Sequence, residues 1–388
     1  MIGYALKFYL IIIKLEVISM TKKTTIHSKK KPSLKLEKKT IIDPNGKASS
    51  KDGIYGLPFR EHEAKVVYLP IPWDVTTSYQ AGTSKGPEAI LRASEQIDFF
   101  DLDYVNAYEV GLFMKKESSK IKKMNKEGRS LAKKIIDADE STVAKSKVLQ
   151  SCLKKVNNFC EALNDEVYKM AKSCLAQNQI PVVIGGDHAT PFGAIKAYSE
   201  KYDNFGILHF DAHSDTRIRY MGFENSHASI MYNVMEKISG VTKLVQVGIR
   251  DFCEQEFNYT NTNPKIKVYF DQKIAERKLA GEAFEKIARE IVNQLPQNVY
   301  ISFDIDGLDP RFCPHTGTPV PGGLDYSEII LIINELIKSK RTLVGFDLVE
   351  VAPSTKDKND EWDANVGMRL LYKMTSASLS SLGFIAKR

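Results

Sequence analysis

The sequence has few cysteines and no long uninterrupted hydrophobic run. Its five cysteines are scattered among 388 residues and form neither a Cys-x-x-Cys pair nor an evenly numbered disulfide framework, which fits a reducing compartment. The apolar stretch at residues 1–20 is interrupted by Lys7, Lys14 and Glu16, is too short to span a bilayer, and lacks a small-residue cleavage site. We therefore expect no membrane anchor and no secretory signal, and predict a cytoplasmic protein.

A net positive charge is also missing from most of the chain. The formal net charge is +7, but residues 21–51 contain ten lysines against Glu37 and Asp43 and residues 1–20 add +1, so residues 52–388 carry a net charge of −2. Because the excess of positive charge is confined to one stretch, the body of the protein has no composition typical of nucleic-acid binding, and we expect no nucleic-acid partner.

The lysine-rich stretch is poor in large apolar residues and therefore buries too little surface to fold alone. We predict a disordered tail over residues 1–55, with Met20 as a possible start of translation, and one folded domain over residues 56–388. A role of the tail as a tether to an anionic surface is the less favoured alternative, since blocks of like charge are most often only solvated.

From about residue 64 onward, short apolar runs alternate with amphipathic stretches. The runs AKVVYLPIP, IPVVIGG, FGILHF, KLVQVGI, IKVYF, NVYISF and TLVGFDLVEV are typical of buried strands. Stretches such as GEAFEKIAREIVNQL place their apolar residues on one helical face, and residues 115–178 predict one or two helices outside the sheet. Uniformly apolar strands joined by helical crossovers predict an α/β fold, with a central, mostly parallel sheet covered by helices on both faces.

Charged and imidazole side chains cluster where these predicted strands end. Seven of them follow four strands: His188, Asp211, His213, Asp215, Asp304, Asp306 and Glu350. The carboxyl ends of parallel strands share one edge of the sheet, where ligands commonly bind. Because side chains alternate with a period of two, Asp211 and His213 should project to one side, as should Asp304 and Asp306.

Four aspartates at one buried edge would repel one another unless they take up protons or bind a cation. Carboxylates with two imidazoles suit a harder divalent ion such as manganese, and so many carboxylates without a thiolate are atypical of structural zinc. More than four such ligands indicates two ions, which can share a bridging water and lower its pKa toward neutrality. The pattern is therefore typical of a metal-dependent hydrolase.

Each motif also has a simpler interpretation. A single Asp-x-His or Asp-x-Asp after a strand is more often a helix cap or a turn, and only the joint occurrence of the motifs favours a metal site. Asp187 and Asp309 are predicted to be turn or supporting residues. We predict that His209, inside the strand that precedes Asp211, is structural and that its side chain lies on the opposite face from Asp211.

The segments GGDHAT, HFDAHSD and SFDIDGLDP, in this order, resemble the three metal-binding signatures of the ureohydrolase family, which includes arginases and agmatinases. The resemblance covers about residues 60–385 and extends to PWDVTTSYQAGTSKGPEAIL, GTPVPGGL and VEVAP. It implies that residues 56–388 are a catalytic domain with an arginase-like three-layer fold. It also implies a homo-oligomer, commonly a trimer or a hexamer.

The resemblance further implies two manganese ions per subunit. One ion would be bound by His188, Asp211, Asp215 and Asp304. The other would be bound by Asp211, His213, Asp304 and Asp306. Asp211 and Asp304 would then bridge the two ions.

The implied reaction is hydrolysis of a guanidino compound by a metal-bridging hydroxide. Glu350 matches the family glutamate that pairs with the guanidinium, and such a contact is charge-assisted. His227, in NSHASIM, matches the family histidine that carries protons, with an ordinary loop histidine as the alternative. We also predict that Asp215, besides its implied role as a metal ligand, is a catalytic residue.

The substrate is less closely specified. The run TRIRYMGFENSHASIMYNV lacks the loop with which arginases bind the α-carboxylate and α-amine, so agmatine, converted to putrescine and urea, is the first choice. Arg217 and Arg219 would suit a carboxylated substrate such as 4-guanidinobutyrate, while guanidinopropionate, guanidine and arginine remain open. A binuclear phosphoesterase should contain GNH[DE] and GHxH motifs, which are absent. A catalytically silent binding protein is less favoured because all the implied ligands are present.

Overall fold

A computed structural model describes residues 42–46 and 53–388. Met20 and almost all of the predicted tail lie outside the described residues. Ile54 and Tyr55, at the end of that predicted tail, are buried in the core. Within the described part of the chain, every helix is too short or too polar to cross a membrane.

In the described residues, eight strands form one sheet in which every pair of neighbours is parallel. They are β1 (Val66–Ile71), β2 (Leu112–Met114), β3 (Ile180–Gly185), β4 (Phe205–Phe210), β5 (Val241–Ile249), β6 (Ile266–Phe270), β7 (Asn298–Asp304) and β8 (Thr342–Val349). Their order across the sheet is β2-β1-β3-β8-β7-β4-β5-β6. The predicted runs correspond to β1 and β3 to β8, whereas β2 is too short to produce a periodic pattern.

Eleven α-helices connect or flank these strands in the described residues. They are α1 (Gly86–Ala93), α2 (Ser119–Ile136), α3 (Glu140–Lys145), α4 (Lys147–Ala176), α5 (Phe192–Ser199), α6 (Ile230–Lys237), α7 (Glu254–Thr262), α8 (Asp271–Leu279), α9 (Phe284–Asn293), α10 (Tyr326–Lys338) and α11 (Trp362–Ser381). The prediction of one or two helices over residues 115–178 was wrong, because three form there. The side chains of Ser118, Asp139 and Ser146 each cap the start of one of them.

Alternate side chains of each strand pack on opposite faces of the sheet, in three hydrophobic clusters, which makes three layers of helix, sheet and helix. In β4, Phe205 and Ile207 pack with Ile230 of α6 on one face of the sheet. Leu208 and Phe210 belong to the core on the other face, which includes residues of α9, α10 and α11. The predicted fold, with a parallel sheet covered on both faces, is confirmed.

The strand order explains why the polar residues meet. β3, β8, β7 and β4 are consecutive neighbours in the sheet although they are far apart in the chain. Because they are parallel, their carboxyl ends lie at one edge, which is where ligands commonly bind in open α/β sheets. The segments that follow these four strands carry the acidic and histidine residues singled out above.

Candidate metal centre

A tight turn after β3 brings His188 to the edge of the sheet. The backbone N–H of Gly186 donates to the carbonyl of Ile71 (2.9 Å), and its carbonyl accepts from the N–H of Glu350 (2.7 Å). A Cβ at position 186 would lie 1.8 Å from the carbonyl oxygen of Trp73, so only glycine fits there. The backbone N–H of His188 then donates to Oε1 of Glu350 (2.9 Å).

We expect Gly186→Ala to lower the free energy of unfolding by about 3 kcal/mol or more, because the added methyl group overlaps a backbone atom that has no room to move. Gly46→Ala is the control, since its added Cβ meets only the exposed Asp43 side chain, at 3.1 Å. It should change stability by less than about 0.5 kcal/mol. Denaturant unfolding of both variants measures this. Equal midpoints for Gly186→Ala and the unsubstituted protein would contradict the packing argument.

Nδ1 of His188 faces three carboxylates that come from two other strand ends. It lies 3.0 Å from Oδ2 of Asp211, 3.1 Å from Oδ2 of Asp215 and 3.4 Å from Oδ2 of Asp304. All four side chains are buried. One nitrogen and three carboxylate oxygens therefore converge on one small volume.

The other ring nitrogen of His188, Nε2, is held by hydrogen bonds that run through Ser302 to Asp347. Oγ of Ser302 donates to Oδ1 of Asp347 (3.1 Å), so Oγ accepts from Nε2 of His188 (2.9 Å). This contact leaves Nδ1 as the nitrogen with a free lone pair. Metal-binding histidines commonly use their second nitrogen in this way, because the contact fixes the tautomer and the ring orientation.

A second group forms around His213. Its Nδ1 lies 3.2 Å from Oδ2 of Asp306 and 3.5 Å from Oδ1 of Asp211. Oδ1 of Asp306 is held by the backbone N–H of Ala212 (3.0 Å). The two oxygens of Asp211 thus face different histidines, which is the arrangement that a bridging carboxylate requires.

All six residues predicted as metal ligands meet at this sheet edge. Potential ligand atoms of two groups lie within 4.8 Å of one another: His188, His209, Asp211 and Asp215 in one, and Asp211, His213 and Asp306 in the other. Asp304 is held next to both, because its Oδ1 accepts from the backbone N–H of Asp306 (2.9 Å) and its Oδ2 faces His188. The division of these ligands between two ions stays a prediction.

His209 lies in a different place from the one predicted. Its Nδ1 accepts from Nε2 of Gln246 (3.0 Å), so its Nε2–H donates to Oδ2 of Asp211 (2.8 Å). The prediction was wrong because positions 209 and 211 differ by two, the period of a strand, and so share a face. Burial lowers the pKa of His209 and favours its neutral form. Since both ring nitrogens are engaged, this histidine orients Asp211 and leaves metal binding to the other two.

Electrostatics in the cluster favour a bound cation. Burial, and then the charge of Asp211, raise the pKa of Asp215 to about 7. Burial, and then the charges of Asp306 and Asp211, raise the pKa of Asp304 well above its usual range. Such pKa shifts mean that carboxylates this close together stay ionised only if a positive charge balances them. A divalent cation with oxygen and imidazole ligands supplies it, and this donor set fits a hard or intermediate metal ion.

Two residues of the cluster have a left-handed backbone, which non-glycine residues rarely adopt. They are Asp215, with φ 53°, and Glu350, with φ 61°. The carbonyl of Asp215 accepts from the N–H of Met231 (3.0 Å), and the carbonyl of Glu350 accepts from Oγ1 of Thr316 (2.9 Å). The surrounding structure therefore holds two strained positions, and such positions concentrate at functional sites.

A pocket of about 160 Å³ opens beside the cluster, and His213, Asp215 and His227 line it. His227 is held by Thr76, whose Oγ1 accepts from the backbone N–H (3.3 Å) and lies 3.4 Å from Nδ1. Burial lowers the pKa of His227 to about 3, with smaller effects from His213 and His188. The imidazole is therefore neutral near pH 7.

The remaining predicted residues lie in different places relative to this pocket. Glu350 is buried against His188 rather than among the residues described as lining the pocket. Arg217 lines the pocket, whereas Arg219 is exposed elsewhere. Asp187 and Asp309 act as turn residues, because their Oδ1 atoms accept backbone N–H groups two residues later.

Sequence reasoning missed several pocket residues, and Asp251 and Phe252 are two of them. They follow β5, which was predicted as a strand and pairs with β4. The rule that residues after parallel strands share one sheet edge applies to them as well. This rule could have identified both residues from the sequence, although no recognisable motif marks this strand end.

Fold and site together define a class, namely three-layer α/β enzymes with a carboxylate-rich metal centre at the carboxyl ends of parallel strands. Residues 64–376 match the arginase family. An N(1)-aminopropylagmatine ureohydrolase of Thermus thermophilus is 30% identical over 293 residues, which are 75% of this chain and 84% of that protein. The agmatinase of Bacillus subtilis is 32% identical over 225 residues, 57% of this chain and 69% of that protein. The solved structure of proclavaminate amidino hydrolase from Streptomyces clavuligerus has a TM-score of 0.64 at 21% identity, covering 87% of this chain and 99% of that one.

The chain therefore belongs to the arginase family. It is an agmatinase-like, metal-dependent hydrolase of guanidino compounds, and the resemblance inferred from the sequence is confirmed.

Proposed function

We propose that this protein hydrolyses agmatine, or a closely related guanidino compound with an amine on its tail, to urea and the corresponding amine. The observation that carries the proposal is the convergence of His188, His213 and four aspartates on one edge of the sheet beside a small pocket. The names of the similar proteins, agmatinase and N(1)-aminopropylagmatine ureohydrolase, support an amine-tailed substrate.

We propose manganese as the metal, in two ions per subunit. His188, Asp211, Asp215 and Asp304 would hold one of them, and Asp211, His213, Asp304 and Asp306 would hold the other. When bound, a pair of divalent ions supplies Lewis acidity and a hydroxide nucleophile near neutral pH. The predicted trimer or hexamer and the predicted cytoplasmic location stay predictions.

The residues of the chain supply positioning and proton transfer. Oxygen from water adds to the guanidinium carbon, the bond from that carbon to the alkylated nitrogen breaks, and this nitrogen leaves as an amine once it takes a proton. His227 carries protons between this nitrogen and bulk water, because its imidazole lines the pocket beside the metal cluster. Glu350 binds the guanidinium with Oε2, since its Oε1 already accepts from His188.

The charge balance of the pocket wall supports an amine over a carboxylate on the tail. Arg217 is the guanidinium that would bind a carboxylate, but its Nε lies 3.5 Å from Oε2 of the buried Glu256. Its guanidinium also lies over the ring of Tyr220, 4.8 Å from the centroid. Its positive charge is therefore already compensated within the protein. A carboxylate on the tail would have to compete with Glu256 for Arg217.

We expect the manganese-loaded protein to release urea from agmatine with a kcat/KM at least about tenfold higher than from 4-guanidinobutyrate or arginine, because a carboxylate on the tail meets no free cation in this pocket. A urea-release assay over agmatine, 4-guanidinobutyrate, 3-guanidinopropionate, arginine and guanidine measures this. Activity highest on a carboxylated compound would contradict the proposed substrate class. Full metal occupancy without urea from any of the five would favour a binding protein instead.

A further inference from the structure

His315 joins the segment after β7 to the start of α11. Its backbone N–H donates to Oδ2 of Asp363 (2.9 Å), and its Nδ1 lies 2.8 Å from Oδ1 of the same carboxylate. Because an ionised carboxylate can only accept, Nδ1 carries a hydrogen and donates it. Asp363 lies in the first turn of α11 and is 1% exposed. Burial raises the pKa of Asp363, and the two hydrogen bonds from His315 oppose that rise. One buried carboxylate therefore holds both the backbone and the ring of His315.

Two further contacts hold the same segment against the start of α11. Nε1 of Trp362 donates to the carbonyl of Arg311 (2.8 Å). Nε2 of His315 faces Oδ2 of Asp360 at 3.5 Å. The segment is thus attached to the helix at Arg311 and again at His315, and the second attachment lies next to the residues that reach the metal cluster.

The next three residues of the segment contact the site. Oγ1 of Thr316 donates to the carbonyl of Glu350 (2.9 Å), which is one of the two cluster residues with a left-handed backbone. Gly317 lies against the carboxylate of Glu350, since a Cβ at position 317 would be 3.5 Å from Oε2. Oγ1 of Thr318 donates to Oδ2 of Asp306 (3.3 Å), and Thr318 lines the pocket. The segment therefore runs from α11 to the pocket within four consecutive residues, 315–318.

Glu350 depends on this segment for its position. Its Oε1 accepts from the backbone N–H of His188 (2.9 Å), and its Oε2 is the oxygen assigned above to the guanidinium. Gly317 borders Oε2, and Thr316 holds the carbonyl of the strained backbone. A shift of residues 315–318 would therefore move Oε2, because the contacts at both ends of Glu350 would move with the segment.

We propose that His315 is a positioning residue for guanidinium binding. Its hydrogen bonds to Asp363 hold residues 315–318 in place, and these residues in turn orient Glu350. His315 itself does not line the described pocket. The inference rests on the proposed function and deepens it, because it specifies what orients the carboxylate that binds the guanidinium.

The ring of His315 is tested with alanine and asparagine. We expect His315→Ala to lower kcat/KM for agmatine about tenfold, mainly through a higher KM, because Glu350 binds the guanidinium in the ground state as well as in the transition state. Metal content should stay unchanged. Asparagine has an amide N–H close to the position of Nδ1, so His315→Asn keeps the hydrogen bond to Asp363 and should stay within about threefold of the unsubstituted protein.

Glu361→Gln is the matched control at the same helix start. Glu361 forms an ion pair with Arg92 (3.1 Å), and both side chains are partly exposed. Its kcat/KM should stay within about twofold of the unsubstituted protein. Asp363→Asn is a second test, since it replaces one acceptor oxygen by an amide N–H, and it should reproduce the loss of His315→Ala. It also provides the test if His315→Ala does not fold, and an Asp363→Asn protein with full activity would contradict the inference.

A double-mutant cycle decides whether His315 acts through Glu350. In the Glu350→Gln background, His315→Ala should cost less than about a further twofold in kcat/KM, because the contact that it positions is already weakened. A further tenfold loss would overturn the inference. So would equal losses in His315→Ala and His315→Asn, or a loss of metal in His315→Ala, because His315 would then act through general packing.

Crystal structures of the two His315 variants test the positioning without catalysis. Residues 315–318 and the carboxylate of Glu350 should be displaced in His315→Ala and should stay in place in His315→Asn. Unchanged positions in His315→Ala would overturn the inference. Failure of the unsubstituted protein to release urea from any guanidino compound would contradict the proposed function, and the crystal structures would still decide the positioning.

Discussion

Replacing Asp211 or Asp304 by alanine should abolish urea release and empty both metal sites. The two oxygens of Asp211 face different histidines, and Asp304 is held between His188 and Asp306, so each removal takes a ligand from both proposed ions. We expect kcat/KM to fall by more than about 10³-fold, equivalent to about 4 kcal/mol of transition-state stabilisation. Metal content, measured by plasma mass spectrometry, should fall from about two ions per chain to near zero.

Asp306→Ala should behave differently. Of the two groups of potential metal ligands, Asp306 belongs only to the one that contains His213. We expect it to lower the occupancy of one ion and to leave the other bound. Asp309→Asn is the control, since Asp309 follows the same strand but accepts only the backbone N–H of Arg311. Equal metal content and equal activity in the Asp211, Asp304 and Asp306 variants would mean that no binuclear centre exists here.

His227→Ala should lower kcat on the order of 10² to 10⁴-fold while metal content stays unchanged, because it removes a proton carrier that binds no ion. His227 lines the pocket and is neutral near pH 7, so the missing function is proton transfer by a free imidazole. Added imidazole should restore part of kcat. His62→Ala is the control for nonspecific effects of losing a histidine, because His62 is exposed and distant from His227 in the sequence. A loss of manganese in His227→Ala, or an unchanged kcat, would show that His227 is a ligand or a bystander.

Glu350→Gln should lower kcat/KM about ten- to a hundredfold, since a charged contact to the guanidinium is worth roughly 1.5 to 3 kcal/mol. The amide oxygen of glutamine still accepts from the backbone N–H of His188, so this contact survives the substitution. The variant therefore separates the contact of Glu350 to the substrate from its contact to His188. If Glu350 only held His188, kcat/KM would stay within about twofold of the unsubstituted protein and the substrate contact would be wrong.

The sequence alone was sufficient to predict the class of fold and which acidic and histidine residues meet at one edge of the sheet. Buried parallel strands leave long apolar runs, because both of their faces are covered, and these runs are visible without any tertiary information. Residues that follow such runs belong to one sheet edge whatever the strand order is. This is why the meeting of His188, Asp211, His213, Asp304 and Asp306 followed from local patterns.

The tertiary structure decided which atoms face one another. Strand order is not sequential in this sheet, so the chain does not reveal that β8 lies between β3 and β7, or that β5 brings Asp251 beside His213. Compensation of Arg217 by Glu256 depends on two segments that are distant in sequence. A local pattern determines which residues are buried and which edge they share, because it reflects backbone periodicity. The partners of each charge depend on long-range packing, which backbone periodicity does not reveal.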